Sequence, residues 1–415
     1  MENKLKYGRS KLTVNIPDKN FQGKIMPEEA EALSNPEAEV NKSLDAPIES
    51  AKLEELVSPE DNVVILVSDI SRPAPSTVML PPIINRLNSS GVSDDKIKII
   101  FGLGVHRRQT PEEKKKLVGD EIYSRIKCID HDRYQCEQIG ITSRGTEAEV
   151  FKEVLDADFI VATGNLEYHY FAGFSGGAKA LAPGVCSKNT IMQNHKQFMD
   201  PLARSGQIEG NPVREDIEEI ANMVGVDFLV NAVLNRQKET IKIVSGDIEA
   251  AHRQGKKYIE EIYEKSIDEK ADIVITSPGG FPKDIDLYQT HKSMEHAARA
   301  VKEGGKMIVV GECGDGLGEE NFAEALTGDK SPQELIEELE NEFILGRHKA
   351  SRVADIHQSS EIILVSSLPK SITEKLFFRC CSDVNSALEE ALADIGRDAK
   401  VLVIPFGIST LPRMK

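Results

Sequence analysis

Tryptophan is absent from this 415-residue chain, and aromatic residues together reach only 5%. Nowhere do 18 apolar residues run together, which leaves no stretch suited to a membrane-spanning helix. The opening MENKLKYGRSKLTV lacks the apolar core of a signal peptide. Cysteine is scarce. Of six, only Cys380 and Cys381 are close together, and there is no C-x-x-C pair or disulfide framework. A reducing, cytoplasmic setting is therefore expected. Basic residues are outnumbered 51 to 68, giving a formal net charge of -17. That field argues against nucleic acid or an anionic membrane as a partner. It still permits a small anionic substrate in a cleft with its own cations. Repeats, low-complexity tracts and zinc spacings such as H-E-x-x-H are missing as well.

What remains is an ordinary globular composition, 40% hydrophobic and 29% charged, long enough for two or three domains. Residues 1–57 read as an opening hairpin, then a loop and an acidic helix. Continuous apolar runs of strand length follow at 62–68, 96–102 and 159–164, as strands covered on both faces require. Thr110, Pro111 and Glu113 mark a helix start after the second run. Beyond the third come a helix at 212–223, β stretches at 226–235 and 238–246, and a charged helix from Asp247 to Lys265. A second set of strands is expected at 271–277, 306–312, 361–367 and 400–407, with a helix at 287–302. The pattern predicts an α/β protein of two α/β domains, 1–265 and 266–415, with helix 247–265 as a bridge. Their mainly parallel sheets are expected to face one another across an active-site cleft.

In such sheets ligands sit outside the carboxyl ends of the strands. Asp69 and Arg72, His106, and His169 each fall just beyond a different predicted strand. Their convergence on one edge is the main argument that the chain is an enzyme. The stretch Asn165 to His195 adds Lys179 within the glycine-rich turn GFSGGAK and a second histidine, His195, on a helix capped by Ser187. Each residue also has a plainer reading. Asp69 could cap the next helix with Arg72 solvated, and His106 could be an exposed loop residue. His195 shares an apolar face with Ile191, Met192, Phe198 and Met199, as core histidines do. The turn at Gly173–Lys179 lacks the adjacent Gly-Lys-Ser/Thr of a nucleotide loop, though its N–H groups suit a phosphate-sized anion. Asp286 and Gln289 fit a capping box, with Tyr288 and Lys292 sharing a helix face. The run Gly314-x-Gly316-x-Gly318 reads as a plain loop rather than a dinucleotide site.

Taken together, DISR (69–72), GVHRR (104–108), EYHYFAGFSGGAKALAPG (167–184), NH (194–195) and LYQTHK (287–292) resemble the nickel-pincer-dependent lactate racemase family over nearly the whole chain. The resemblance implies a nickel(II) pyridinium-3,5-bisthiocarboxylate mononucleotide tethered through Lys179, with His195 as the protein's nickel ligand. It implies His106 and His169 as the acid/base pair. Asp69, Ile70, Ser71, Arg72, Gln289 and Lys292 would contact the cofactor, and Arg72, Tyr288 and Lys292 the substrate. The implied activity is racemisation or epimerisation of a small 2-hydroxy acid by reversible hydride transfer, with cofactor-synthesis proteins as partners. The family's lactate enzyme is expected to line its site with a tryptophan. This chain has none, and its counterpart region reads GRHKASRVADIH (346–357), which opens the choice among lactate, malate, phenyllactate and other short 2-hydroxy acids. Two rival readings are a nickel-independent phosphate-handling enzyme built on Gly176–Lys179 and a non-catalytic nickel or nucleotide carrier.

Overall fold

A computed structural model describes residues 1–341, 344 and 346–415. The chain divides into two compact units, a middle unit of Glu29–Ile262 and a terminal unit of Met1–Glu28 with Tyr263–Lys415. The predicted opening hairpin is present, as β1 (Glu2–Tyr7) and β2 (Ser10–Asn15), and is succeeded by β3 (Phe21–Lys24). These elements belong to the terminal unit, whereas the sequence pattern assigns residues 1–28 to the first of two domains, 1–265. The reason is pairing: β3 adds to the sheet built from the chain's last third.

The middle unit begins with the acidic α1 (Pro36–Asp45), then β4 (Val63–Ser68), α2 (Ser76–Ser89), β5 (Ile97–Gly102), α3 (Pro111–Val118) and β6 (Lys127–Asp130). It continues through β7 (Phe159–Leu166), α4 (Lys188–Lys196), α5 (Pro212–Val224), β8 (Phe228–Leu234), β9 (Thr240–Gly246) and α6 (Ile248–Tyr263). The sheet order is β9-β8-β7-β4-β5-β6, parallel throughout except for the β8–β9 hairpin at one edge. Every residue of β7 and β8 is buried, as is every residue of β4 but its last. This explains their uninterrupted apolar sequence, since each is covered on both faces. Helix α2 packs Met79, Leu80, Ile83 and Leu87 into the core with Ile65, Ile99 and Phe101. The helix expected over 247–265 runs from Ile248 to Tyr263, and Glu264–Ile267 is a short strand paired with Leu411–Met414.

The terminal unit contains β10 (Ala271–Thr276), α7 (Leu287–Ala297), β11 (Val301–Val310), α8 (Glu320–Thr327), α9 (Arg347–Ser359), β12 (Glu361–Val365), β13 (Arg379–Cys381), α10 (Val384–Ile395) and β14 (Val401–Ile404). Its sheet, β13-β12-β11-β10-β14-β3, is parallel throughout. Helix α7 stops at Ala297, short of the predicted 302, because β11 already starts at Val301. The protein is thus α/β with two mainly parallel sheets. Among the described residues no helix is long and apolar enough to cross a membrane.

Candidate active site

The middle sheet reverses its winding between β4 and β7, with β5 and β6 on one side and β8 on the other. That switch point leaves a crevice at the strands' carboxyl ends. Asp69 follows β4 there and is 5% exposed. Its Oδ1 accepts the Ser71 N–H at 2.7 Å, while Oδ2 lies 2.6 Å from His106 Nδ1. The Ile70 N–H donates to Gln109 Oε1 at 2.7 Å, fixing the rest of the turn. Asp69 does not cap α2, whose first turn receives no side-chain cap. Burial pushes the Asp69 carboxyl up, but hydrogen bonds from His106 and Ser71 outweigh it and hold the group below the usual carboxylate range. An ionised carboxylate only accepts, so His106 Nδ1 carries a hydrogen, and in the neutral ring the lone pair is on Nε2. Arg72 is exposed, and among the described residues it makes no ion pair.

His169 stands in a two-residue strand, Tyr168–His169, paired antiparallel with Gly173–Phe174. The Ala172 N–H donates to His169 Nδ1 at 3.2 Å. In its neutral form His169 therefore carries its hydrogen on Nε2, the opposite tautomer to His106. Phe171, at the tip of this hairpin, gathers three of the expected site residues. Its ring centroid lies 4.5 Å from that of His169 and 4.9 Å from that of His195, and Lys179 Nζ is 5.8 Å away.

Lys179 sits in a short 3-10 turn, Gly177–Ala180. Gly177 has φ +58°, and a Cβ there would meet Arg214 Nη2 and His252 at 2.8 Å, so only glycine fits. The turn's backbone donors are largely engaged: Gly177 N–H with Asn231 Oδ1 at 2.8 Å, Lys179 N–H with Gly176 O at 3.3 Å, Ser175 N–H with Glu167 O at 2.9 Å. The anion cradle expected from the glycines is therefore mostly closed. Beneath it lies a buried Arg214, which donates to Glu218 at 2.6 Å and to the carbonyls of Phe174 and Gly176 at 3.4 and 3.3 Å. His252, fully buried, donates from Nε2 to Ser175 O at 2.9 Å. Lys179 is half-buried and makes no ion pair among the described residues. Burial, with the charges of Arg72 and Arg214, pushes its amine down to about 7.

His195 lies in α4, whose cap is Ser187 as expected, its hydroxyl accepting the Thr190 N–H. The inward face of α4 and the 3-10 turn after it is Thr190, Ile191, Asn194 and Phe198. His195 is only half-buried and Met199 is 38% exposed, so the apolar face is rotated from the one expected. Asn194 explains the shift. Its Nδ2 donates to Val213 O at 3.1 Å and to Asp216 Oδ2 at 2.8 Å, and Asp216 also accepts from Thr142 and Thr146. The amide is thereby oriented with Oδ1 toward His195 Nδ1, at 3.2 Å. His195 must donate there, which leaves its lone pair on Nε2, as a metal-binding imidazole requires.

In the terminal unit, Asp286 caps α7 by accepting the Gln289 N–H at 2.6 Å. The reciprocal half of a capping box is replaced: Gln289 Oε1 accepts from Lys292 Nζ at 2.6 Å. The Gly314–Gly318 loop is structural, its Gly316 and Leu317 carbonyls accepting the Leu287 and Tyr288 N–H groups. Lys349 of α9, which sequence reasoning passed over, places Nζ 3.4 Å over the Tyr288 ring.

The middle unit's residues suit the nickel-pincer nucleotide in three respects. Lys179 makes no ion pair among the described residues, and its amine, pushed down to about 7, can anchor a group covalently. His195 presents Nε2 as a donor. Asn165, 4% exposed at the end of β7, has a buried Nδ2 with no hydrogen-bond partner among the described residues, beside the Gly176 turn. Among the described residues no three His, Cys, Asp or Glu side chains converge as a metal site. A metal held through His195 would take its other donors from the group that carries it.

Arg214, Asn231, His252 and Asp216 were not found by sequence reasoning, because each lies far along the chain from the loop it supports.

Comparison with known proteins agrees over the full length. Residues 7–206 match the model of the lactate racemase N-terminal domain and residues 267–411 that of the lactate racemase C-terminal domain. A lactate racemase of Thermoanaerobacterium thermosaccharolyticum is 33% identical, covering 99% of this chain and 98% of that protein. One from Lactiplantibacillus plantarum is 36% identical, covering 98% of each. The structure of the lactate racemase apoprotein from T. thermosaccharolyticum superimposes with a TM-score of 0.91 at 31% identity, covering 100% of both chains. A Thermotoga maritima protein shares the fold at 17% identity, with a TM-score of 0.64. Two domain models in order and full-length identity of a third to relatives of one kind leave a single assignment: the chain belongs to the lactate racemase family.

Proposed function

We propose that the protein racemises or epimerises a small 2-hydroxy acid, with a nickel-pincer nucleotide held through Lys179 and His195. The observation that carries this reading is the opposed tautomers of neutral His106 and His169, on the same sheet edge as Lys179, whose amine is pushed down to about 7. Inverting C2 requires its hydrogen to leave one face and return to the other, while the hydroxyl proton leaves and returns in step. When bound, the nucleotide supplies an acceptor for the C2 hydrogen and its electron pair.

The remaining work falls to the protein. His106, with its lone pair on Nε2, takes the hydroxyl proton of one enantiomer, and ionised Asp69 steadies the imidazolium that forms. His169, with hydrogen on Nε2, supplies the proton for the other enantiomer, and the roles exchange in the reverse direction. Arg72, an exposed guanidinium that makes no ion pair among the described residues, binds the substrate carboxylate. Asp69, Ile70 and Ser71 shape the cofactor's edge. Loading this group makes cofactor-synthesis proteins the expected partners.

A phosphate-handling enzyme is less favoured because the glycine turn spends its N–H groups internally. A passive carrier gives no reason for two imidazoles fixed in opposite tautomers. The test is a chiral assay on enantiopure 2-hydroxy acids with protein loaded with the nickel nucleotide. Racemisation is expected for wild type and is lost in His106→Ala and His169→Ala, both retaining nickel. Turnover undiminished in both variants would sink the proposal.

A further inference from the structure

Behind the Lys179 turn stands a charge that ion pairing alone does not explain. Arg214 is 1% exposed and donates from Nε to Glu218 at 2.6 Å. Glu218 has no need of it. Arg253 already grips that carboxylate in two-pronged fashion, Nη1 to Oε1 and Nη2 to Oε2, each at 2.7 Å. A buried ion pair adds little stability by itself, so a second guanidinium on one buried carboxylate asks for another role.

What its remaining atoms hold is the backbone leading to Lys179. Arg214 Nη1 donates to Phe174 O and Gly176 O at 3.4 and 3.3 Å. The carbonyl between them, Ser175 O, accepts from His252 Nε2 at 2.9 Å. Arg214 Nη2 lies 3.1 Å from both nitrogens of that ring, and Arg253 Nη1 is 3.2 Å from its Nδ1. Burial, then the charge of Arg214, keeps His252 neutral. Three consecutive carbonyls are thus fixed by one linked pair from α5 and α6. Burial, then the charges of Arg72, from the turn after β4, and Arg214, from α5, push the Lys179 amine down to about 7. Glu218 and Arg253 stand behind Arg214.

Resting on the racemase reading, we infer that Arg214 and His252 are the positioning residues for Lys179. They fix the turn that carries the amine, and Arg214 sets a like charge behind it, so that a neutral amine meets the nucleotide in one place.

The test uses the full-length chain without cofactor, so it does not depend on turnover. Lys179 is acetylated with acetic anhydride across pH, and its modified fraction is read by peptide mass spectrometry. In Arg214→Met the midpoint should rise by about one pH unit, since a like charge is gone. In the isosteric Glu218→Gln it should fall by roughly half a pH unit, because the charge of Arg214 is less offset. A side chain that only packs would loosen the turn in both variants and raise both midpoints. Arg214→Lys should keep the midpoint within about half a pH unit of wild type. Should the methionine variant not fold, the sign in Glu218→Gln decides alone. A second measurement loads the chain with the nickel nucleotide and dialyses it. His252→Leu should then retain at least about tenfold less nickel than wild type. Midpoints that rise in both variants, or move in neither, would overturn the inference, as would nickel retention unchanged in His252→Leu. No racemisation of any 2-hydroxy acid defeats the racemase reading instead and leaves the labelling result standing.

Discussion

His106 and His169 are held as opposite tautomers, one by the Asp69 carboxylate 2.6 Å from its Nδ1 and the other by the Ala172 N–H 3.2 Å from the same atom. One ring thus offers a lone pair at Nε2 where the other offers a hydrogen. The proposed reaction, run from either enantiomer, would use such a pair, and the sequence beside His106 does not reveal its Asp69 partner.

Replacing Asp69 by Asn removes the charge behind His106 and lets an amide N–H push that ring toward the other tautomer. kcat should fall on the order of 10^2- to 10^4-fold with KM little changed. Because the Asp69 carboxyl is held below its ordinary range, its contribution to stability is present above the unfolded pKa and lost as pH falls through the lower folded value. Acid unfolding below about pH 4 should accordingly be shallower in Asp69→Asn than in wild type. Equal acid profiles would contradict the assignment.

Lys179 should react as an amine with a pKa of about 7. Acetylation of the cofactor-free chain across pH, with peptide mass spectrometry as the readout, is expected to show its midpoint near 7 while surface lysines titrate near their usual value. The depressed pKa also fixes a sign. Stability is lost as pH falls from the unfolded lysine's pKa toward 7, since only the unfolded chain then takes up the proton. Lys179→Met should stabilise the fold at about pH 7 by on the order of 1–3 kcal/mol, read as a higher melting temperature, and the gain should shrink towards about pH 10.

Gly177→Ala places a methyl group 2.8 Å from Arg214 and His252 at a backbone φ of +58°. A loss of about 1–3 kcal/mol is expected by denaturant unfolding, with reduced cofactor retention. Wild-type stability in this variant would mean that the turn is not clamped against α5 and α6.

Asn194→Ala cuts the link that orients His195. Nickel affinity should drop roughly 10- to 100-fold, read by metal analysis after dialysis, while the far-ultraviolet circular dichroism stays that of wild type. Unchanged nickel retention would argue that His195 does not ligate through a fixed Nε2.

Much of this was legible in sequence, for identifiable reasons. Runs such as VVILVS and FIVATG can only be strands covered on both faces, and the loops after them must meet at one sheet edge. Thr110 and Ser187 announce their helices by local chemistry, and each cap is in place. The support beneath the site is different in kind. Arg214 reaches the carbonyls of Phe174 and Gly176, Asn231 the Gly177 N–H, and Asp216 sets His195 only through Asn194. These are contacts between separated segments and leave no periodicity to read. The pairing of Phe21–Lys24 with Val401–Val403 is hidden for the same reason.

That last pairing bears on how the protein is made. During synthesis β3 emerges about 380 residues ahead of β14, so at about 5–20 residues per second it waits roughly 20–75 s for its neighbour. The middle unit can fold in that interval, whereas the terminal sheet closes only once β14 has emerged. A chaperone that shields Phe21 and the hairpin before it would therefore matter more to the yield of this protein than one acting on its centre.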